Sequence, residues 1–200
     1  LVVGDEPAAG TELPSRPVIS GDESARLAQI AGAMPMRTHT VSRSRPARNR
    51  PSDLTNLLFI GSRQELTATF AAAGWTQPGS PGMRSNIRRI RAVAEGHGDT
   101  AASMSPLAVE GFAPDMAWQK GFNDVSKRHH VRIWKQPETW HGQETWIAAA
   151  TRDIDFAYLR PGQPITHKID ENIDEERHKV VNDLVFTYCA ALLESYERPE

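Results

Sequence analysis

The chain of 200 residues is long enough for one main domain, and its 39% hydrophobic and 24% charged residues are those of a globular protein carrying extra loop or tail. A formal net charge of -2, from 23 basic and 25 acidic residues, gives no global field for a nucleic-acid partner, and the single cysteine, Cys189, excludes a disulfide framework and any zinc site that needs two thiolates. No uncharged apolar run approaches the ~18 to 20 residues that span a bilayer. The first residue is Leu1 rather than Met, which leaves room for an upstream signal or membrane-anchor segment and keeps localisation open.

Residues 1–52 are rich in Gly, Pro, Ser, Thr and Arg and poor in large apolar side chains, which predicts a disordered or linker tail. A short helix over 23–32 would cluster Ala25, Leu27, Ala28, Ile30 and Ala31, but it lacks an evident partner face. Arg37, Arg43, Arg45, Arg48 and Arg50 form a basic stretch with no acidic residue among them. Such a stretch can touch anionic lipid or nucleic acid, or serve as a solubilising linker. The absence of interleaved aromatic residues favours the linker.

The folded domain is expected over 53–200. The run Asn56-Leu57-Leu58-Phe59-Ile60 suits a buried strand, and Gly61 allows the turn after it. Ser62 and Glu65 form a capping box, Leu66 and Phe70 recur at helical spacing, and Gly74 stops the helix. A loop over 78–82 precedes a basic helix over 83–95, which Gly96-His97-Gly98-Asp99 ends. A strand over 105–112 and a turn or single helical turn over 115–122, carrying Trp118, come next. Residues 127–136 alternate with period two, His129, Val131 and Ile133 on one face and His130, Arg132 and Trp134 on the other. A connection over 137–142 leads to a second strand over 144–153, with Trp146, Ala148, Ala150 and Arg152 sharing a face, and the two make an antiparallel hairpin. A short strand over 165–169 follows. The last helix, over 173–195, is expected to start near a capping Asp174, with Val181, Leu184, Val185, Tyr188 and Leu192 as its apolar stripe and Cys189 as a buried small residue. These elements predict an α+β fold: a mixed, largely antiparallel sheet of about five or six strands covered by helices, with a disordered N-terminal tail.

The segments Arg128-His129-His130-Val131-Arg132-Ile133-Trp134, Ala149-Ala150-Thr151-Arg152-Asp153-Ile154, Thr166-His167-Lys168-Ile169-Asp170 and Ile173-Asp174-Glu175-Glu176-Arg177, with Asn56 to Ser62 and Gln119-Lys120, form an ordered set. Over about 53–195 this set resembles the LssY C-terminal domain family. The resemblance implies a bacterial domain that occurs alone or appended to membrane proteins with a lipid-phosphatase-like or DedA-like part, and so a cell-envelope or membrane-associated setting. Where that family often has Arg after the glycine corresponding to Gly111, this chain has Phe112. The neighbouring phosphatase domain's Lys-x6-Arg-Pro, Pro-Ser-Gly-His and Ser-Arg-x5-His-x3-Asp motifs are absent, as are Gly-x-Ser-x-Gly, His-Glu-x-x-His, the P-loop pattern and paired His-x-Thr motifs.

Arg128, His129, His130, Arg132, Arg152, Asp153, His167, Lys168 and Asp170 crowd into three strand-like segments. Two constellations are open. His130 and Arg132 beside Arg152, with Lys168, would make a cationic group for a phosphate or carboxylate on a small molecule or lipid head group. Alternatively His129, Asp153, His167 and Asp170 would hold a divalent metal. A phosphoester hydrolase would use His130 or His167 as general acid or base, with Asp153 orienting it or helping to hold the metal. Each residue also has a structural reading, as a satisfied strand-end histidine or as an ion pair such as Arg177 with Asp170 or Asp174.

Overall fold

The structure, a computed structural model, describes residues 1–3, 17–40, 50–77, 107–121, 128–157, 166–169 and 172–198. In chain order its elements are β1 (Val2–Val3), α1 (Gly21–Ala33), β2 (Arg37–Thr40), β3 (Pro51–Leu54), β4 (Leu57–Ile60), α2 (Arg63–Ala72), β5 (Leu107–Ala108), β6 (Met116–Gly121), β7 (Arg128–Trp140), β8 (Gln143–Ala157), β9 (Thr166–Ile169), α3 (Ile173–Val185) and β10 (Ala190–Ala191). The fold is α+β. A seven-stranded sheet runs β10-β1-β4-β8-β7-β6, with β9 paired to β8 beside this path, and a three-stranded sheet runs β3-β2-β5. Only the β1–β4 pair is parallel among the pairings described.

The β7–β8 hairpin is the spine of the main sheet. Its strands are longer than the alternation suggests, 13 and 15 residues, because the turn is not the six-residue loop expected over 137–142. The turn is the pair His141-Gly142, both at positive φ (49° and 78°), the geometry of a tight turn whose twist matches antiparallel strands. Pro137 is absorbed into β7 at a register shift between Lys135 and Thr139, where a missing N–H costs little.

Period two divides the hairpin between two cores. Val131, Ile133, Trp146, Ala148 and Ala150 join Phe59, Leu66, Phe70, Trp75 and Trp118 beneath α2 and α3, whose Val180 and Leu184 are fully buried there. On the opposite face Trp134, Ile147 and Ala149 pack with Met34 and Val109, and Trp140 and Ile60 pack with Leu27 and Leu193. Trp118, Trp134, Trp140 and Trp146 are therefore all core.

Four expectations are corrected. The N-terminal region is not uniformly a tail: Ser20 and Glu23 form a capping box, and α1 lays Leu27 and Ile30 on Trp140, Ile60 and Leu58. Its partner face comes from strands and a C-terminal segment far away in sequence. Residues 115–122 contain strand β6 rather than a helical turn, because Met116 and Trp118 alternate inward and the segment pairs with β7 from Met116↔Ile133 to Gly121↔Arg128. The last helix is capped by Asn172, whose side chain accepts from the Glu175 N–H at 3.2 Å, and not by Asp174. That helix ends at Val185 rather than near 195; Tyr188 adopts φ 64° and the chain enters β10, so the buried stripe is Glu176, Val180 and Leu184. The basic helix over 83–95 lies outside the described residues.

The Ser62–Glu65 capping box is present as expected, with the Ser62 N–H donating to Glu65 Oε2 at 2.6 Å and the Glu65 N–H to Ser62 Oγ at 3.2 Å. Gly61, at φ 142°, has Val3 so close that a Cβ there would lie 2.5 Å from Val3 Cγ2. Cys189 is buried, as expected. Among the described residues no helix is long and apolar enough to cross a membrane.

Candidate functional site

The polar residues singled out in the sequence gather at one end of the β6-β7-β8 sheet, and the register sorts them. Trp140 pairs with Gln143 across the two-residue turn, and the register shift adds two residues to β7 alone, so even-numbered β7 positions continue to face odd-numbered β8 positions. His129 therefore stands opposite Arg152, His130 opposite Thr151, and Arg132 opposite Ala149. Directly opposed residues of an antiparallel pair share a face. The grouping of His130 and Arg132 beside Arg152 is thus corrected: Arg152 lies on the other side of the sheet.

On the α3 side one rung carries Lys120, His129 and Arg152 from β6, β7 and β8. Helix α3 roofs this rung with acidic side chains. His129 Nδ1 and Glu176 Oε2 are 2.6 Å apart, with side chains 3% and 2% exposed. The other Glu176 oxygen, Oε1, is buried and has no hydrogen-bond partner, so His129 is the group that offsets this carboxylate's desolvation. Lys120 Nζ donates to the Ala73 carbonyl at the end of α2 (2.8 Å) and to Asp183 Oδ2 (2.9 Å). The same oxygen accepts from Lys179 at 2.9 Å and from the Trp75 indole at 3.2 Å. Burial alone would raise the Asp183 carboxyl, but the Lys179 and Lys120 hydrogen bonds outweigh it and hold the group below the ordinary carboxylate range. Trp75 also meets His129 edge-on, ring centroids 6.4 Å apart. This side is a closed clamp between helix and sheet.

The opposite face is different in kind. Its corresponding rung carries Gln119, His130 and Thr151, 8%, 4% and 4% exposed, and Arg132 stands two residues along β7 at 9%. Arg132 Nη1 lies 3.6 Å from Asp53 Oδ2, an ion pair longer than a hydrogen bond. Its neighbours on β6 and β8 are Ala117 and Ala149, small side chains that add no charge or polar group at either flank. Arg132 thus sits at the border between the apolar cluster of Trp134 and Ile147 and the polar rung of His130.

The remaining predicted residues fall elsewhere. Asp153 pairs with Arg128 and with Ile169 of β9, His167 with Phe156, and Lys168 with Asp155; Asp170 lies outside the described residues. At ~3.3 Å per residue and ~4.8 Å per strand, the backbones of His129 and His167 stand about 15 Å apart, because β9 and β7 occupy opposite edges of β8. One ion bound at ~2 Å by each imidazole does not bridge that span. Lys168 is about 20 Å along β8 from the Arg132 position by the same spacing. Among the described residues no group of three or more His, Cys, Asp or Glu is placed to hold a metal. Arg177 closes the expected ion pair with Asp174, at 2.9 Å.

The sequence reading missed Gln119, Thr151, Lys120, Asp183 and the role of Glu176. Glu176 carried a usable signal: it stands four and eight residues before Val180 and Leu184, and a carboxylate on a buried helical stripe demands a buried partner. Neither curated proteins nor solved structures contain a match to the chain. The family model of the LssY C-terminus matches residues 36–197, and the chain belongs to that family.

Proposed function

We propose that this domain is an accessory module that recognises an anionic, phosphate-bearing ligand on the face of the main sheet where His130 and Arg132 lie. The observation that supports this reading most is a buried arginine and a buried histidine, two residues apart on one strand face, with alanines opposite the arginine on both neighbouring strands. A guanidinium offers a planar fork of donors that fits two phosphate oxygens, and an imidazole adds a further ring N–H donor. Asp53 acts as the resident counter-ion that a ligand's oxygens would supplement or displace. The test is calorimetric titration with inorganic phosphate, nucleotides and lipid-head-group phosphates against wild type, Arg132→Ala and Arg152→Ala. Binding lost in Arg132→Ala and kept in Arg152→Ala is the expected result; the reverse pattern, or no binding by wild type, overturns the proposal.

A second reading, phosphoester hydrolysis, draws on the His129–Glu176 contact, since a carboxylate that fixes an imidazole is how a general acid or base is oriented. That histidine is sealed beneath α3 and Trp75, which favours a structural role. A phosphomonoesterase and phosphodiesterase screen, with and without divalent metals and with elemental analysis of the purified protein, separates the two. Turnover abolished in Glu176→Gln at unchanged fold would establish hydrolysis, and an inactive wild type would remove it.

A further inference from the structure

The rung beside Arg132 carries two side chains that neither packing nor internal hydrogen bonding explains. Gln119 and Thr151 flank His130 from β6 and β8, and all three share one face. Both are more than nine-tenths buried. Among the described residues the Thr151 hydroxyl and the Gln119 side-chain amide have no protein hydrogen-bond partner, yet neither is among the polar atoms fully sealed from solvent. Buried polar groups are almost always satisfied, so an amide and a hydroxyl in this state point to a recess that water or a ligand reaches. The positions themselves admit apolar alternatives: the next positions along the same face of β6 and β8 are Ala117 and Ala149. A rung of amide, imidazole and hydroxyl next to a guanidinium presents charge at one point and neutral donors and acceptors beside it.

We infer that Gln119 and Thr151 are specificity residues, selecting a phosphate ester whose substituent is hydroxylated, a polyol or sugar phosphate, over inorganic phosphate. This rests on the anion-binding reading above and adds the part of the ligand that reading leaves open. The phosphoryl group sits at Arg132 and His130, and the ester's hydroxyls replace water on Thr151 Oγ1 and the Gln119 amide. Selectivity arises because an analogue without those hydroxyls leaves two recessed polar groups without ligand contacts. A soluble ester is favoured over a lipid head group because every member of the set lies recessed below the surface.

The experiment titrates the full 200-residue chain with inorganic phosphate, with glycerol 1-phosphate and, in a third arm, with vesicles containing phosphatidylglycerol. Wild type is expected to bind glycerol 1-phosphate about tenfold more tightly than inorganic phosphate, a difference of ~1.4 kcal/mol. Thr151→Val and Gln119→Met should each collapse that preference to within about threefold while leaving inorganic phosphate affinity unchanged. Thr151→Ser, which keeps the hydroxyl, should retain the preference and serves if the valine variant fails to fold. Equal wild-type affinity for the two small probes, an equal loss of both in the variants, or binding to vesicles without binding to glycerol 1-phosphate overturns the inference and leaves the anion site standing. Failure of wild type to bind any of the three removes the anion site as well.

Discussion

Replacing Glu176 tests the account of helix α3 most directly. Its carboxylate and the His129 imidazole, 47 residues apart in sequence and 2.6 Å apart in space, are both almost wholly buried. Removing one partner of a buried pair strands the other in a low-dielectric interior, at a cost of about 3–5 kcal/mol. For a protein of this size ~1 kcal/mol shifts the melting temperature by about 2–4 °C, so Glu176→Gln should melt roughly 6–20 °C below wild type. Glu175→Gln, one position along and exposed, should change stability by less than ~0.5 kcal/mol. The design is completed by Glu176→Met combined with His129→Leu. Because both partners of the contact leave together, the double variant should be at least as stable as the better single one, with a coupling of ~2 kcal/mol or more in the double-mutant cycle. Urea unfolding of wild type, Glu176→Met, His129→Leu and the double variant measures it. A Glu176→Gln protein within ~0.5 kcal/mol of wild type, or strictly additive single effects, would refute the claim that this pair fastens α3 to the sheet.

Asn172→Ala should cost about 1 kcal/mol as a lost helix cap whereas Asp174→Ala should cost less, and thermal melts of the two variants give the ranking. Asp183 carries a pH signature: its folded-state carboxyl lies below its unfolded value, so its contribution is complete above the unfolded carboxylate range and is lost as pH falls through the folded value, below about pH 4. Asp183→Asn should therefore lower stability at pH 7 by about 1–3 kcal/mol and converge with wild type in acid, which paired denaturation curves at both pH values check. Asp53→Asn should strengthen phosphate binding several-fold by removing the counter-ion at Arg132, and a weakened or unchanged affinity by calorimetry contradicts that role.

The faces of the central hairpin were legible because alternation of Val131 and Ile133 against His130 and Arg132 depends on nothing outside the strand. Which β8 face met which β7 face was not. That choice is a matter of parity: the number of residues between paired positions is even here, two in the turn and two more on β7 at the register shift, and neither strand's own alternation carries it. The Ser62 capping box was legible for the same reason as the alternation, being complete within four residues. Helix α1 was legible as a short helix over 23–32, but its partner face was not, because it is completed by Trp140 and Leu193 from more than a hundred residues away; strand β6 was not legible, because the partner that defines it is a neighbouring strand. The end of α3 illustrates a third limit. Val185 and Leu192 continue a plausible helical spacing, but Ala190 and Ala191 are taken up by pairing with β1, and tertiary pairing overrides a periodicity that propensity alone would extend. At the site, sequence found the charged groups and missed Gln119 and Thr151, since an amide and a hydroxyl become informative only when burial without a partner is seen.

The tight His141-Gly142 turn also bears on how the chain reaches this structure. Its strands pair residues close in sequence before any distant segment is needed, so little loop-closure entropy opposes the first rungs, Trp140 with Gln143 and Thr139 with Glu144. The other pairings of the main sheet join segments farther apart: Leu57 meets Ala148, and Val2 meets both Ile60 and Ala191. Folding is therefore expected to condense on the hairpin and collect β6, β4 and α3 afterwards, with β1 and β10 last. Substitutions near Trp140 should slow refolding, whereas those in β10 should chiefly quicken unfolding. His130 and Thr151 of the polar rung, eleven and nine positions from the turn, would then acquire their neighbours only as the two long arms zip shut and the segments around them settle.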